Sequence, residues 1–311
     1  MVAYDAVSVV IPAYNEEASI AGIIKRIQAL SPDLEIVVCS DGSTDRTAAV
    51  AAAAGARVVE HRYNLGNGAA VKSGAKAATR PYLVFLDADG QHPPEEMPAL
   101  LKELPDYDMV VAARTAQSTT SRVRDIGNYV LRKTAEMIGG HPIMDLTSGF
   151  RAVKRHLFFR FAPLYPLRYS YPSTIILAFL CTGYFIKFVP MPAITRRTEG
   201  KSSISPIRDG FRFLNIIFRL HMLFKPFRIF FPLSMLFFIL GLGMGIYQLL
   251  YTGGLRSITV ILFVSCLVFF VNGLLAEQVS QIRLALVQEH ADRDYDGKEP
   301  CEPARQGNDG S

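Results

Sequence analysis

Two long stretches without a charged residue constrain this 311-residue chain more than any other feature. They run from Ile229 to Leu255 and from Ser257 to Ala276, and Arg256 separates them. Each exceeds the roughly 18 apolar residues that mark a candidate transmembrane helix, and core helices of soluble domains are rarely apolar for so long. The sequence therefore predicts two membrane spans, at about residues 229–251 and 257–276, that form a helical hairpin.

Basic residues flank this hairpin on one side. Arg219, Lys225 and Arg228 precede the first span and Arg283 follows the second, whereas the connecting loop contains only Arg256. Short cytoplasmic segments of membrane proteins carry an excess of lysine and arginine. The N-terminus also lacks the pattern of a signal peptide. We therefore expect a multi-pass protein of the cell inner (cytoplasmic) membrane, with the large N-terminal region, residues 1–204, in the cytoplasm.

The segments on either side of the spans have different patterns. Residues 205–228 predict an amphipathic helix with a polar stripe of Arg208, Arg212, Asn215 and Arg219. Such a helix can lie in the headgroup plane, and we favour this interpretation because the helix leads directly into the first span. The alternative is an ordinary amphipathic helix packed on the sheet. Residues 277–311 are predicted to be a mostly disordered cytoplasmic tail, because the chain becomes polar and loses periodicity from about Gln288.

Charge and cysteine content narrow the class of protein. The net charge of +5 is modest, and because the basic residues cluster near the apolar half, an anionic membrane surface explains them better than nucleic acid does. The four cysteines have no metal-binding or disulfide spacing, which fits a reducing compartment.

Short apolar runs alternate with helical patterns along the first part of the chain, which predicts an α/β fold with a mostly parallel sheet. The predicted strands are Val7–Ile11, Ile36–Cys39, Arg57–Glu60, Tyr82–Leu86 and Met109–Ala112. Helices are predicted at residues 20–30, 47–54 and 67–78. A later amphipathic helix, at about residues 122–138, fits an interfacial position and a position on the sheet equally well.

The fourth predicted strand delivers two aspartates, Asp87 and Asp89, to its carboxyl end. Ligands of open α/β sheets bind at that edge. Two hard oxygen ligands suit a Mg²⁺ or Mn²⁺ ion that is also held by a diphosphate. Because acidic pairs occur in many turns, the meaning of this pair depends on the motifs around it.

Three further loops follow predicted strands at the same edge. The loop after the first strand could place a tyrosine ring and a glutamate against a ligand, and Asp41 after the second could accept hydrogen bonds from a base or ribose. The third, Asn64–Ala69, contains glycines that allow close backbone approach and precedes a helix N-terminus that favours an anion. Each loop alone could be a plain turn. The candidate nucleotide-binding residues are Pro12, Ala13, Tyr14, Glu16, Asp41, Gly68, Lys72, Asp87 and Ala88.

These four motifs, in this order, resemble the nucleotide-sugar-binding half of family 2 glycosyltransferases, which have a Rossmann-like GT-A fold. The resemblance covers about Val7–Arg114 and departs at Ser40, where these enzymes often have an aspartate, so the base is left open. Downstream, the sequence DLTSGFR at Asp145–Arg151 resembles the acceptor-loop motif of polyprenyl-phosphate glycosyltransferases, the dolichol-phosphate mannose synthase group.

The resemblance also implies roles for individual residues. Asp87, Asp89 and Gln91 would coordinate the divalent metal. Arginines would hold the lipid phosphate, and the second of these, after Arg114, is either Arg122 or Arg124. The candidate residues for the acceptor phosphate are Arg114, Arg122, Arg124, Ser148, Arg151 and Lys201, and the candidate catalytic residues are Asp89, Arg114 and Arg122. Any one of these arginines could instead be a solvated or headgroup-facing charge.

The expected reaction is inverting transfer of one sugar from a nucleoside diphosphate sugar to undecaprenyl or dolichyl phosphate. A phosphate monoester, with a second pKa of about 6, is largely dianionic at neutral pH and needs little help from a general base. One alternative is a glycosyltransferase that acts on a hydroxyl-bearing lipid and needs a definite base. The other is a membrane-anchored nucleotide-sugar binder without turnover. The sequence leaves the sugar, the nucleotide and a possible homo-oligomer open.

Overall fold

The computed structural model describes residues 1–114, 122–167, 171–191, 215–216, 218–251, 254 and 256–296, with the backbone alone at 122–128 and 287–296. Its strands are β1 Val7–Ala13, β2 Glu35–Ser40, β3 Arg57–Glu60, β4 Tyr82–Phe85, β5 Met109–Arg114, β6 Arg151–Lys154 and β7 Ile186–Met191. Its helices are α1 Ile20–Leu30, α2 Thr47–Ala53, α3 Asn67–Ala77, α4 Met97–Glu103, α5 Arg122–Gly139, α6 Arg155–Phe161, α7 Tyr171–Cys181, α8 Phe227–Tyr251 and α9 Ser257–Asp296.

The strands form one mixed sheet in the order β3-β2-β1-β4-β6-β5-β7. Adjacent strands are parallel, except that β6 runs antiparallel to both β4 and β5. Alternate residues of each central strand enter two separate hydrophobic cores, because helices cover both faces of the sheet. In β1, for example, Val9 and Ile11 face α1, whereas Val10 faces α3 and lies within the other core.

The five predicted strands and the first three predicted helices are confirmed to within about two residues at each end. β6 and β7 were not predicted. β6 has only four residues and begins inside the predicted acceptor-loop motif, so its apolar pattern is too short to be recognised. It nevertheless decides the architecture of the site. Because β6 is antiparallel, its first residue, Arg151, pairs with Phe85 and Val111, near the carboxyl ends of β4 and β5.

The two C-terminal helices, α8 and α9, pack against each other as a hairpin, and both are long and apolar enough to cross a membrane. Polar side chains join them inside the apolar stretch. Ser234 Oγ donates to the Cys266 carbonyl at 3.1 Å. Near the turn, Gln248 Oε1 accepts hydrogen bonds from the Arg256 N–H and the Thr259 hydroxyl. The first helix of the hairpin agrees with the predicted span 229–251 to within two residues at each end. The second begins at Ser257, as predicted, but is longer than the predicted span 257–276.

The expected disordered tail is wrong for its first twenty residues, because α9 continues to Asp296. Tertiary contacts explain the extension. Ser280 Oγ donates to the Leu223 carbonyl at 2.7 Å, and Leu284 packs against the core of the N-terminal domain near α6. The Glu277 carboxylate also accepts the backbone N–H of Phe227, at the start of α8. The rest of the predicted tail, residues 297–311, lies outside the described residues.

The helical segment 218–224, just before the hairpin, belongs to the predicted interfacial helix 205–228. Leu220 and Phe224 are buried in the core that α6 and α7 form, whereas Phe218 and Arg219 are exposed. This described part fits the alternative interpretation, an amphipathic helix packed on the domain. Its N-terminal part, residues 205–214, lies outside the described residues.

Candidate active site

A cleft of about 390 Å³ opens at the carboxyl edge of the sheet, between the ends of β1, β2 and β4 and the start of α3. It brings together most of the predicted nucleotide-binding residues: Pro12, Ala13, Tyr14, Glu16, Asp41, Asp87 and Ala88, with Asp89 beside them. Four further residues line it that were not among the predicted site residues: Asn64, Gly66, Asn67 and Ala70. The first three belong to the loop 64–69 that the sequence marked as a ligand-binding motif, and Ala70 follows in α3.

One side of this cleft is organised by the Asp41 carboxylate, which is almost fully buried. Its Oδ1 accepts hydrogen bonds from the Leu65 N–H at 2.9 Å and from His61 Nδ1 at 2.7 Å. Its Oδ2 accepts the Gly66 N–H at 2.8 Å. His61, at the end of β3, was not predicted as a site residue. Asp41 thus ties the end of β2 to the segment between β3 and α3 and forms one wall of the cleft.

Two predicted nucleotide-binding residues have a structural role. A Cβ added to Gly68 would lie 2.0 Å from the Pro166 carbonyl oxygen, so this glycine allows the segment before α7 to approach α3. Lys72 Nζ donates to the Tyr165 carbonyl at 2.7 Å. Gly68 and Lys72 thus have packing contacts with residues 165–167, and their contact with a nucleotide stays a prediction.

Asp87 lies at the centre of the site and has an unusual ionisation. Burial and the neighbouring charge of Asp89 raise the pKa of Asp87 to about 6, although the positive charges of Arg151 and Arg114 act in the opposite direction. Asp89 Oδ1 accepts the backbone N–H of Gln91 at 2.9 Å, which orders the turn after β4.

The donor atoms at this turn fit a divalent metal that is shared with a ligand. Asp87 and Asp89 supply hard carboxylate oxygens, and among the described residues no group of three His, Cys, Asp or Glu side chains could form a closed metal cage. Mg²⁺ in particular is usually held by one or two carboxylates together with water and substrate phosphates. The incomplete set of protein ligands therefore suits a metal that a diphosphate helps to coordinate.

The predicted acceptor loop, residues 145–151, closes the site on the β5 side. Arg114 pairs with Asp145 through two hydrogen bonds, from Nε at 2.7 Å and from Nη2 at 3.0 Å, and Nη2 also donates to Thr147. Burial disfavours the ionised form of Asp145, but the hydrogen bond from Arg114 holds the pKa of Asp145 below its ordinary value. The backbone of Gly149 is seated on Asp87, because a Cβ there would lie 2.0 Å from Asp87 Oδ2.

Two predicted phosphate-binding residues of this loop point inward. Arg151 is fully buried, and its guanidinium donates to the carbonyls of Ser148 and Pro172 and lies over the Tyr171 ring. Ser148 is also buried. Neither side chain is exposed in this structure, and contact with a phosphate stays a prediction for both residues. Arg151 places a positive charge beneath Asp87.

His92, which follows the acidic turn, is buried beside the Phe150 ring. Burial lowers the pKa of His92, and the charges of Asp89 and Asp145 oppose that shift. Its Nδ1 has no hydrogen-bond partner among the described residues. The structure thus places this histidine behind the acidic turn, against the residue that precedes Arg151.

The remaining predicted phosphate-binding residues are less fully described. Arg122 begins α5, as predicted, and Arg124 lies in the same first turn, but only their backbone is described. Lys201 lies outside the described residues. Arg114 is therefore the predicted phosphate-binding residue whose side chain is both described and exposed, at 39% of its side-chain surface.

Comparison with known proteins agrees with this geometry. Residues 8–160 match the family model of glycosyl transferase family 2, and residues 225–282 match that of the GtrB C-terminal hairpin. Dolichyl-phosphate hexose transferase of Haloferax volcanii is 31% identical over 214 residues, which cover 67% of this chain and 90% of that protein. The chain belongs to glycosyl transferase family 2.

Two other proteins match part of the chain. Undecaprenyl-phosphate 4-deoxy-4-formamido-L-arabinose transferase of Aeromonas hydrophila is 34% identical over 162 residues, about half of each protein. Glucosyl-3-phosphoglycerate synthase of Mycobacterium tuberculosis, solved with Mn²⁺, UDP and phosphoglyceric acid, superimposes with a TM-score of 0.56 at 25% identity, over 70% of this chain and 77% of that chain. The fold of this family 2 glycosyltransferase is thus GT-A-like, as expected.

The raised pKa of Asp87 predicts a pH-dependent stability. The folded protein keeps a proton on Asp87 up to about pH 6, whereas the unfolded chain loses it near pH 3.8. Because the folded state binds more protons in this window, wild-type stability should fall relative to Asp87→Asn as the pH rises from about 4 to 6, and then stay constant. Thermal unfolding by circular dichroism, with chelator present, measures this difference. Asp106→Asn, at an exposed position, is the control, and parallel pH curves for wild type and Asp87→Asn would contradict the prediction.

Proposed function

We propose that this glycosyltransferase transfers one sugar from a nucleoside diphosphate sugar to a polyprenyl phosphate, with inversion at the anomeric carbon. The observation that carries the proposal is the position of Arg114, an exposed guanidinium near Asp87 and Asp89 in the lining of the cleft. Its positive charge is close enough to Asp87 to oppose the rise in the pKa of that carboxyl. A phosphate acceptor needs a cation at this place, whereas a hydroxyl acceptor does not.

The donor half of the reaction is supported by the cleft at the ends of β1, β2 and β4. Its size suits a nucleotide, since small-molecule sites commonly span about 300–1,000 Å³. Asp87 and Asp89 at its inner end, with Gln91 after them, would hold Mg²⁺ or Mn²⁺ against the diphosphate. A bound divalent ion would neutralise the charge that develops on the departing diphosphate.

The acceptor half is supported by the geometry of Arg114. Its hydrogen bonds to Asp145 and Thr147 use Nε and Nη2. Among the described residues, both N–H groups of Nη1 are therefore available to a ligand. Asp145 fixes the plane of the guanidinium, so little conformational entropy is lost when Nη1 meets a phosphate. Arg122 or Arg124, from the first turn of α5, would supply a second cation.

The chemistry then requires positioning more than proton transfer. A polyprenyl phosphate that is largely dianionic attacks the anomeric carbon with one of its own oxygens, so no protein base has to remove a proton. Arg114 would hold that phosphate in line with the departing diphosphate, on the opposite side of the anomeric carbon. Attack from the side opposite the leaving group inverts the configuration. Asp89 would lie near both substrates, as a metal ligand.

The hairpin supplies the location. A polyprenyl chain stays in the bilayer, so the site must be held at the membrane surface, and α8 and α9 would anchor it there. The contacts of Ser280 and Leu284 with the domain favour a fixed orientation of the domain on the hairpin. The basic residues around the hairpin favour the cytoplasmic face.

The central experiment is a transfer assay with the full chain in detergent, Mn²⁺ and a short-chain polyprenyl phosphate. Radiolabelled nucleoside diphosphate sugars are offered separately, and label in the organic phase is counted. We expect transfer from one donor, abolished by chelator and by Asp89→Ala, and a product of inverted anomeric configuration by NMR. Transfer only to a diacylglycerol would favour the hydroxyl-acceptor alternative. Metal-dependent nucleotide binding without transfer to any lipid would favour the non-catalytic binder.

The role of Arg114 predicts a selective defect. Arg114→Gln is made together with Asp145→Asn, so that no buried carboxylate is left without its cation. The loss of charge-assisted hydrogen bonds, each contributing about 1.5–3 kcal/mol, should raise the KM for polyprenyl phosphate by at least about tenfold. Nucleotide affinity should not change.

The matched control for this pair is Arg26→Gln with Glu95→Gln, which removes an exposed ion pair between α1 and the turn before α4. Its KM values should equal those of the wild type. An unchanged KM for the lipid phosphate in the Arg114 variant would remove Arg114 from the acceptor site.

A further inference from the structure

His61 contacts the cleft only through Asp41, and the mechanism above does not use it. Because an ionised carboxylate can only accept hydrogen bonds, the hydrogen on His61 Nδ1 must point to Asp41 Oδ1. The other ring nitrogen, Nε2, lies 2.8 Å from the Ser73 hydroxyl on α3. The backbone N–H of His61 also donates to the Ser40 carbonyl. The two ring contacts and the backbone contact together hold the imidazole of His61 against the carboxylate of Asp41.

The hydrogen bonds to Asp41 limit what the carboxylate can still accept. A carboxylate offers about four acceptor positions, two on each oxygen. His61 and the Leu65 N–H take both positions on Oδ1, and the Gly66 N–H takes one on Oδ2. Within the described part of the chain, Asp41 therefore lines the cleft with a single acceptor position, on Oδ2.

Nucleobases differ in how many donors they would present to such a group. Guanine presents two adjacent donors, N1–H and the N2 amino group, which pair best with both oxygens of one carboxylate. Uracil and thymine present one, N3–H, between two carbonyl oxygens. The cleft can also serve those carbonyls, because the carboxamides of Asn64 and Asn67 supply N–H donors. Cytosine and adenine present one amino donor, but beside it an unprotonated ring nitrogen whose lone pair the carboxylate would repel.

We propose that His61 is a specificity-determining residue: by occupying Oδ1 of Asp41 it restricts the donor to a uracil or thymine nucleoside diphosphate sugar. This inference rests on the proposed function, because it assigns the base to the nucleotide cleft. His61 acts through Asp41 and does not touch the base. Guanine would bind with one donor unpaired, which commonly lowers affinity about tenfold or more.

The test is a calorimetric titration of the full chain in detergent with Mn²⁺ and UDP, dTDP, GDP or CDP, without acceptor lipid. Wild type should bind UDP or dTDP at least about tenfold more tightly than GDP. In His61→Phe, which frees Oδ1, this preference should fall by about tenfold. His61→Asn, whose side-chain N–H can still donate to Oδ1, should keep it. Ser73→Ala removes only the outer hydrogen bond and is the matched control.

Three results would overturn the inference. GDP binding as tight as UDP binding in the wild type would do so without any variant, and would leave the proposed transfer reaction intact. An unchanged UDP-to-GDP ratio in a folded His61→Phe protein would remove His61 from base selection. Absence of metal-dependent binding for every nucleotide would overturn the inference together with the proposed function.

Discussion

Two carboxylates at the end of one strand repel each other, and burial of one of them strengthens the repulsion. In this protein Asp87 is the buried member and Asp89 its neighbour, and two arginines oppose the repulsion from different sides. Arg151 lies in the core beneath Asp87, and Arg114 lies at the rim. A divalent cation would add further positive charge at these carboxylates. The rest of the site is arranged around this balance of charge.

The antiparallel strand β6 makes the arrangement possible. In an all-parallel sheet, the segment before a strand emerges at the opposite edge from the segment after its neighbour. Because β6 runs the other way, residues 145–150 emerge at the same edge as Asp87 and Arg114. The loop can then pair Asp145 with Arg114 while its Gly149 backbone rests on Asp87. The proposed donor site and Arg114 are thereby connected through residues 145–150.

Much of this could be predicted from the sequence, since local patterns determined it. The strands that precede Asp41 and Asp87 are apolar runs that end in polar turns, and the hairpin helices are long and free of charge. The buried position of Arg151 could not be predicted in this way. Nothing in DLTSGFR distinguishes an arginine that binds phosphate from one that donates to the Ser148 and Pro172 carbonyls, because a four-residue strand and its tertiary neighbours decide the direction.

Tertiary contacts also explain the other differences between the sequence-based predictions and the structure. His61 became visible only when the fold placed it beside Asp41, twenty residues earlier in the sequence. The polar extension of α9 is helical because Ser280 and Leu284 find partners in the N-terminal domain, which a local pattern does not contain. Periodicity therefore predicted the elements that are stable through their own amphipathic or apolar character, and it failed where long-range packing decides.

We propose that a metal held by Asp87 and Asp89 and the acceptor phosphate share a single site beside Arg114. Paramagnetic relaxation of ³¹P by Mn²⁺ tests it directly, with UDP and a short-chain polyprenyl phosphate both bound to the full chain. We predict that Mn²⁺ broadens the resonance of the lipid phosphate as well as those of the nucleotide, and that the lipid effect requires the protein. Broadening of the nucleotide alone, with an unaffected lipid phosphate at saturation, would contradict the account.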